Sequence, residues 1–339
     1  MKNTILFILS SVLAVLLVEI GLRVFWTNPY AKSDADQVLK IRIAHKNLNQ
    51  TFDRQFIDSE VPTVSFRTNH RGYIEPAYRF TEPDFTIAFL GGSTTETSAV
   101  DETKRFPYLV SKLLEKEGIM VNSLNAARSG GTVHDSLNIL LNHLIVDRPD
   151  VVVLMHAAND IGLLKQDDDY STRMGFSITS SDIAKYSLQI GSTTSWLVGF
   201  ARDAFTFSGF RQNDNVDYHT QINVIEPYRA RLKIFVDMCR AFGITPVLMT
   251  QPVAGNIKNK MTPDWIDLDA QGQYNNVVRE IGSETGTTII DLEAFVVESV
   301  ENGEELSNVF YDGMHVTDYG STLYAKQIVK SFVRLLGDL

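Results

Sequence analysis

The chain of 339 residues carries 31 basic and 41 acidic side chains, a net charge of −10 with no dense basic stretch, which argues against a nucleic-acid partner. With 44% hydrophobic residues it can bury a core larger than one minimal domain requires. A single cysteine, Cys239, excludes an intramolecular disulfide framework and any cysteine-cluster metal site, and leaves the compartment open.

In chain order, the first distinctive stretch is the amino terminus. Ile5 to Val18 is apolar except for Ser10 and Ser11, and Glu19, Gly21 and Arg23 follow before Val24-Phe25-Trp26. Taken to Trp26 the span reaches the roughly 20 residues a bilayer-crossing helix needs. Glu19 and Arg23, four apart, can pair on one helix face, with Trp26 as an interfacial anchor. Residues 1–27 are therefore expected to form a membrane anchor. A cleaved signal peptide is the competing reading, but no small-x-small site follows the apolar run. Lys32, Lys40, Arg42 and Lys46 after the span favour a cytoplasmic body by simple charge count.

Residues 28–84 hold few long apolar runs and prolines at 29, 62, 76 and 83, and read as a connecting region with short strands or turns. Regular order begins at Phe85. FTIAFL reads as a strand, followed by Gly91-Gly92-Ser93, where two glycines permit a sharp turn and close backbone approach. Phe106 to Glu117 has helical periodicity, Ile119 to Leu124 reads as a strand, and Val133 to Val146 as a helix. VVVLM after Pro149-Asp150 is a continuous apolar strand of the kind buried on both faces. A helix over about 223–242, a strand at 244–250, a helix over about 270–285, a strand at 287–291 and a last helix near 317–336 complete the order. The alternation predicts an α/β fold: a three-layer α/β/α sandwich on five parallel strands with right-handed crossovers. Residues 163–222 break the pattern with an acidic patch and scattered aromatics, an insertion that could form a lid or a helical hairpin on the sheet edge.

The strand ends carry the chemistry, as open α/β sheets place ligands there. Ser93 follows the first strand, Gly130 the second and Asn159 the third, while Asp312 and His315 precede the last helix. A serine hydroxyl needs a general base to act as a nucleophile, and a neutral histidine suits that task. Asp312, three residues before His315, can hold the second ring nitrogen and fix the tautomer. The backbone N–H groups of Ser93 and Gly130, with the Asn159 amide, can receive an oxyanion. Each piece alone has a plainer reading: Ser93 and Asn159 as helix caps, Gly130-Gly131 as a turn, Asp-x-x-His as coincidence. Together at successive strand ends they are much more specific. His134 is the second candidate base, while His143 falls in an apparent structural helix and His156 within a strand.

At these residues the chain resembles the SGNH (GDSL-like) hydrolase family, whose four blocks supply Ser, Gly, Asn and His. The blocks stand here as FLGGST, NAARSGG, AAND and DGMH, with Gly92 where the family often has Asp and Ala157 where it usually has Gly. RTNHRGY, Arg67 to Tyr73, is similar to a segment preceding the first block in membrane-anchored bacterial members. The resemblance implies a flavodoxin-like hydrolase domain over 85–339 that needs no metal or cofactor and hydrolyses, or transfers, an acyl group through acyl-Ser93. It also favours an exported catalytic domain. Acetyl esters of an envelope or extracellular glycan are the expected substrate, with a lipase, lysophospholipase or thioesterase acting on longer chains as the alternative. The non-enzymatic rival is a glycan- or anion-binding module using the Gly-Gly-Ser-Thr turn as a nest. The absence of Gly-x-Ser-x-Gly, with Thr95 in the last position, counts against the α/β-hydrolase fold.

Overall fold

The computed structural model describes residues 2–26, 46–55, 57, 61–167, 169–170, 195–200, 225–255 and 267–337. The chain divides into two compact units, 1–41 with 176–218, and 42–175 with 219–339.

In the first unit, helix α1 runs from Lys2 to Phe25. Glu19 and Arg23 do pair on it, Arg23 Nε donating to the Glu19 carboxylate at 3.0 Å. The same carboxylate accepts bonds from Ser195 Oγ and from the backbone N–H groups of Trp196 and Leu197, each at 2.9 Å. Trp196 Nε1 donates to the Trp26 carbonyl at 3.1 Å, and the Trp26 and Phe200 rings meet edge to face at 5.7 Å. Part of the insertion is thus fastened to α1 by the one acidic residue in the apolar stretch. Among the described residues no helix is long and apolar enough to cross a membrane. The expected transmembrane span therefore gains no support from the helix as described. Most of the insertion, and with it the lid expectation, lies outside the described residues.

The second unit is built on a sheet of five parallel strands. An antiparallel hairpin precedes it, β1 (Asn49–Asp53) paired with β2 (Thr63–Arg67), Phe52 opposite Val64. The sheet strands are β3 (Phe85–Gly91), β4 (Val121–Asn125), β5 (Val151–Met155), β6 (Thr245–Met249) and β7 (Thr288–Ile290), in the spatial order β4-β3-β5-β6-β7. Every residue of β5 is buried, which is why its sequence is apolar without alternation. The outer edge of β4 is covered as well. Ile74 bridges to Asn125, and Asn122 Oδ1 accepts the N–H groups of Arg79 and Phe80 at 2.8 and 2.9 Å. Sequential strands leave β3 in opposite directions, to β4 on one side and β5 on the other. The crevice outside the carboxyl ends of β3 and β5 is therefore the topological switch point, where such sheets bind ligands.

Candidate active site

Strand β3 ends at Gly91 because nothing larger fits: a Cβ there would lie 2.1 Å from Thr95 Oγ1 and 2.9 Å from the Met155 carbonyl. The chain then turns into a one-turn helix, α2 (Ser93–Glu96), with Ser93 as its first residue. Asn125 at the end of β4 steadies this turn, its Nδ2 donating to the Thr95 carbonyl at 3.0 Å. Its Oδ1 accepts the Ala127 N–H at 3.1 Å and so starts the loop that carries Gly130. Gly130 has φ +68°, a conformation costly for any residue with a Cβ.

Asp312 and His315 lie on the loop between a four-residue helix (Leu306–Val309) and the final helix (Asp318–Gly337). Asp312 Oδ1 accepts the backbone N–H groups of Met314 at 3.0 Å and His315 at 2.7 Å, curling the loop so that its other oxygen faces the imidazole. Asp312 Oδ2 lies 2.6 Å from His315 Nδ1, and His315 Nε2 lies 2.7 Å from Ser93 Oγ. Burial works to raise the Asp312 pKa, but the bonds from the His315 ring and the two N–H groups outweigh it and hold the carboxyl below its ordinary value. A carboxylate on Nδ1 keeps the proton there and leaves Nε2 as the acceptor for the serine hydroxyl. The Tyr311 ring stacks on the imidazole at 5.7 Å, nearly parallel.

Asn159 is the second residue of the helix following β5 (Ala158–Asp167) and does not cap it. Its Nδ2 donates to the Gly131 carbonyl at 2.8 Å and lies so close to the nucleophile turn that a Cβ on Gly92 would be 2.6 Å from it. Ser93, Asn159, Asp312 and His315 therefore converge on the crevice at the switch point, and Gly130 stands between Ser129, which lines the cleft, and Gly131, whose carbonyl holds Asn159. The other histidines weighed as the base lie elsewhere. His134 is exposed, its ring 6.0 Å from that of Tyr170. His143 sits 5.1 Å from the Tyr73 ring, and His156 is buried with its Nε2 2.7 Å from Ser136 Oγ.

Sequence reasoning passed over Gln251. This buried side chain accepts the Ala158 N–H at 3.0 Å on Oε1 and donates through Nε2 to Thr94 Oγ1 at 3.3 Å. It thereby links the residue after Ser93 to the residue before Asn159. Its own backbone is clamped by Asn275, which accepts the Gln251 N–H and donates to its carbonyl, both at 2.9 Å, and by Gln271 at 2.8 Å. The available signal was position: a polar residue just beyond the apolar run of β6, at the same end of the sheet as Ser93.

A cleft of about 220 Å³ opens beside the triad, with Phe52, Thr97, Ala99, Ser129, Tyr311 and Val316 among the residues that line it together with Ser93 and His315.

The sequence matches the GDSL-like Lipase/Acylhydrolase family over residues 89–323. No curated protein matches the chain. Among solved structures it is similar to Axe2, an acetylxylan esterase from Geobacillus stearothermophilus, at 17% identity and a TM-score of 0.47, covering 74% of this chain and 94% of that one. A lipase/acylhydrolase from Enterococcus faecalis is similar at 19% identity and a TM-score of 0.47, over 73% of this chain and 95% of that one. Because the family match takes in most of the sequence, including Ser93, Gly130, Asn159, Asp312 and His315, this chain belongs to the GDSL-like, or SGNH, acylhydrolases and is an ester-hydrolysing serine hydrolase.

Proposed function

We propose that the chain removes short acyl groups, acetyl foremost, from hydroxyl oxygens of a carbohydrate. The observation that carries this reading is the Asp312–His315–Ser93 relay at 2.6 and 2.7 Å beside a cleft of only about 220 Å³. That volume is below the roughly 300–1,000 Å³ of pockets that enclose drug-sized ligands, so once the alcohol portion of the ester sits in it little space is left for a long acyl chain. Ser93 Oγ attacks the ester carbonyl as His315 Nε2 takes its proton, and the carbonyl oxygen becomes an oxyanion. The Ser93 and Gly130 N–H groups and the Asn159 amide are the proposed donors to it. Collapse breaks the bond to the alcohol oxygen, which leaves with the proton held by His315. Water then attacks acyl-Ser93 by the same route and releases the carboxylic acid.

A fluorophosphonate probe should label Ser93, and Ser93→Ala should abolish both labelling and turnover of p-nitrophenyl acetate. Rates on p-nitrophenyl esters should decline beyond short acyl chains; undiminished rates on long chains would favour a lipase or thioesterase instead.

The proposal extends to location. Leu6, Val12, Val15 and Val18 are all exposed on α1 and, at 3.6 residues per turn, point to four different sides of it, and an all-round apolar helix calls for an apolar environment. We infer that α1 seats the protein at a membrane, with the hydrolase on the exported side. Removing residues 1–27 should release active enzyme from membrane pellets, and a reporter fused after Leu339 should report export; a cytoplasmic signal would reverse the orientation.

A further inference from the structure

The hairpin β1–β2 lies within residues 49–67, outside the span 89–323 that matches the family, yet Phe52 from β1 lines the cleft beside Ser93 and His315. Two buried arginines pin this hairpin to the hydrolase. Arg54, 2% exposed, donates from Nη1 and Nη2 to the two carboxylate oxygens of Asp318 at 2.7 and 3.2 Å. It also donates to the carbonyls of Val61 at 2.9 Å and Ala99 at 3.2 Å. Asp318 begins the final helix three residues after His315, and Ala99 is part of the cleft wall. Arg105, 1% exposed, donates to the carbonyls of Ser65 in β2 at 2.7 Å, Glu75 at 2.8 Å and Thr97 at 3.3 Å. Its guanidinium also lies 5.2 Å from the centre of the Phe66 ring. Burying a guanidinium is costly unless its donors are satisfied, and here both arginines spend their bonds joining the hairpin to cleft residues Ala99 and Thr97 and to the helix that follows His315. A segment that only connected two parts of the chain would need neither.

The position of the cleft says which part of the substrate it receives. The leaving oxygen must come within reach of His315 Nε2 to collect its proton, whereas the oxyanion faces Gly130 and Asn159. His315, Tyr311 and Val316 line the cleft, and Gly130 and Asn159 do not. We propose that hairpin β1–β2 is this chain's own selectivity element, with half-buried Phe52 meeting the alcohol portion of the ester. The aromatic faces of Phe52 and Tyr311 and the hydroxyls of Thr97, Ser98 and Ser129 suit a sugar ring, apolar on its faces and polar at its rim. The assignment rests on the esterase reading above, and the test separates the two.

The experiment compares two ester series on the full chain. One keeps the acetyl group and enlarges the alcohol from methyl to p-nitrophenyl to an alkyl glucoside; the other keeps p-nitrophenol and lengthens the acyl group from acetyl to hexanoyl. In Phe52→Ala, kcat/KM for the acetylated glucoside should fall at least tenfold relative to methyl acetate, mainly through KM. The order within the acyl series should move less than threefold. Phe52→Leu, which keeps an apolar side chain on the strand, should move the alcohol series in the same direction by a smaller factor, and decides the matter if Phe52→Ala does not fold. A shift confined to the acyl series, or no shift in either, overturns the assignment. Failure of the esterase reading would show itself differently, as turnover of p-nitrophenyl acetate that survives Ser93→Ala.

Discussion

Asn159 Nδ2 donates to the Gly131 carbonyl at 2.8 Å, so the turn after β5 and the loop after β4 are joined directly beside the nucleophile. One amide hydrogen is committed to holding the loop, and the second is the one available to a developing oxyanion. Asn159→Ala should therefore lower kcat by roughly 10²- to 10³-fold with a smaller effect on KM. Asn159→Asp, similar in shape but without the donor, should be as damaging. Steady-state kinetics on p-nitrophenyl acetate check both, and an unchanged kcat would reduce Asn159 to a structural role.

Asp312 holds His315 through Nδ1 at 2.6 Å while two backbone N–H groups fix the carboxylate itself. Asp312→Asn keeps the side chain's shape but can present a donor to Nδ1, which favours the wrong imidazole tautomer. The expected loss in kcat is roughly 10²- to 10⁴-fold, with thermal stability little altered. Fluorophosphonate labelling of Ser93 should slow in parallel, because the same base activates the serine for both reactions.

Gln251 supports both arms of the site at once, through the Ala158 N–H and Thr94 Oγ1. Gln251→Ala should lower kcat by roughly 10- to 100-fold, the range expected when reacting groups shift by a fraction of an ångström to an ångström. Thr94→Val removes only the Thr94 arm, and the double variant Gln251→Ala/Thr94→Val should be no worse than Gln251→Ala alone. Additive losses would show that the Gln251–Thr94 bond does not operate as a unit.

Much of this was legible in the sequence because the signals were local. The β5 run VVVLM has no alternation since the strand is buried on both faces, and Gly91-Gly92 precedes Ser93 because a Cβ at Gly91 would strike Thr95. Asp312 and His315 announce themselves by a three-residue spacing that one tight loop satisfies. What the sequence hid was long-range. Arg54 and Asp318 are 264 residues apart, and nothing in the composition of 28–84 marks Arg54 as buried or Phe52 as a cleft wall. The Glu19 carboxylate was read with Arg23 alone, since its other partners, Ser195 to Leu197, lie some 176 residues further along the chain. Gln251 was missed for a different reason: a single polar residue after a strand resembles any loop residue until its partners are known.

A buried pair beside the site governs how stability responds to pH. Asp160 is fully buried, its Oδ1 accepting the Val133 N–H at 2.9 Å and the Tyr170 hydroxyl at 2.6 Å. His156 Nδ1 is 3.6 Å from Asp160 Oδ2, too far for a hydrogen bond. Burial disfavours both charged forms, raising the Asp160 pKa from 3.8 to about 7 and lowering that of His156 from 6.5 to about 3. For Asp160 the folded value exceeds the unfolded one, so its contribution is complete below pH 3.8 and is lost as pH rises through about 7. For His156 the folded value is depressed, so its contribution is complete above pH 6.5 and is lost as pH falls towards about 3. Between pH 3.8 and 6.5 the two slopes oppose each other and the pair leaves stability nearly level. Asp160→Asn removes one of them while retaining an acceptor for Val133 and Tyr170. Urea midpoints measured across that window should then fall with decreasing pH more steeply in Asp160→Asn than in the parent, with the m-value unchanged. His156→Gln should tilt the curve the other way, losing stability as pH rises from 3.8 towards 7. If both variants run parallel to the parent, Asp160 and His156 do not titrate as a buried neutral pair.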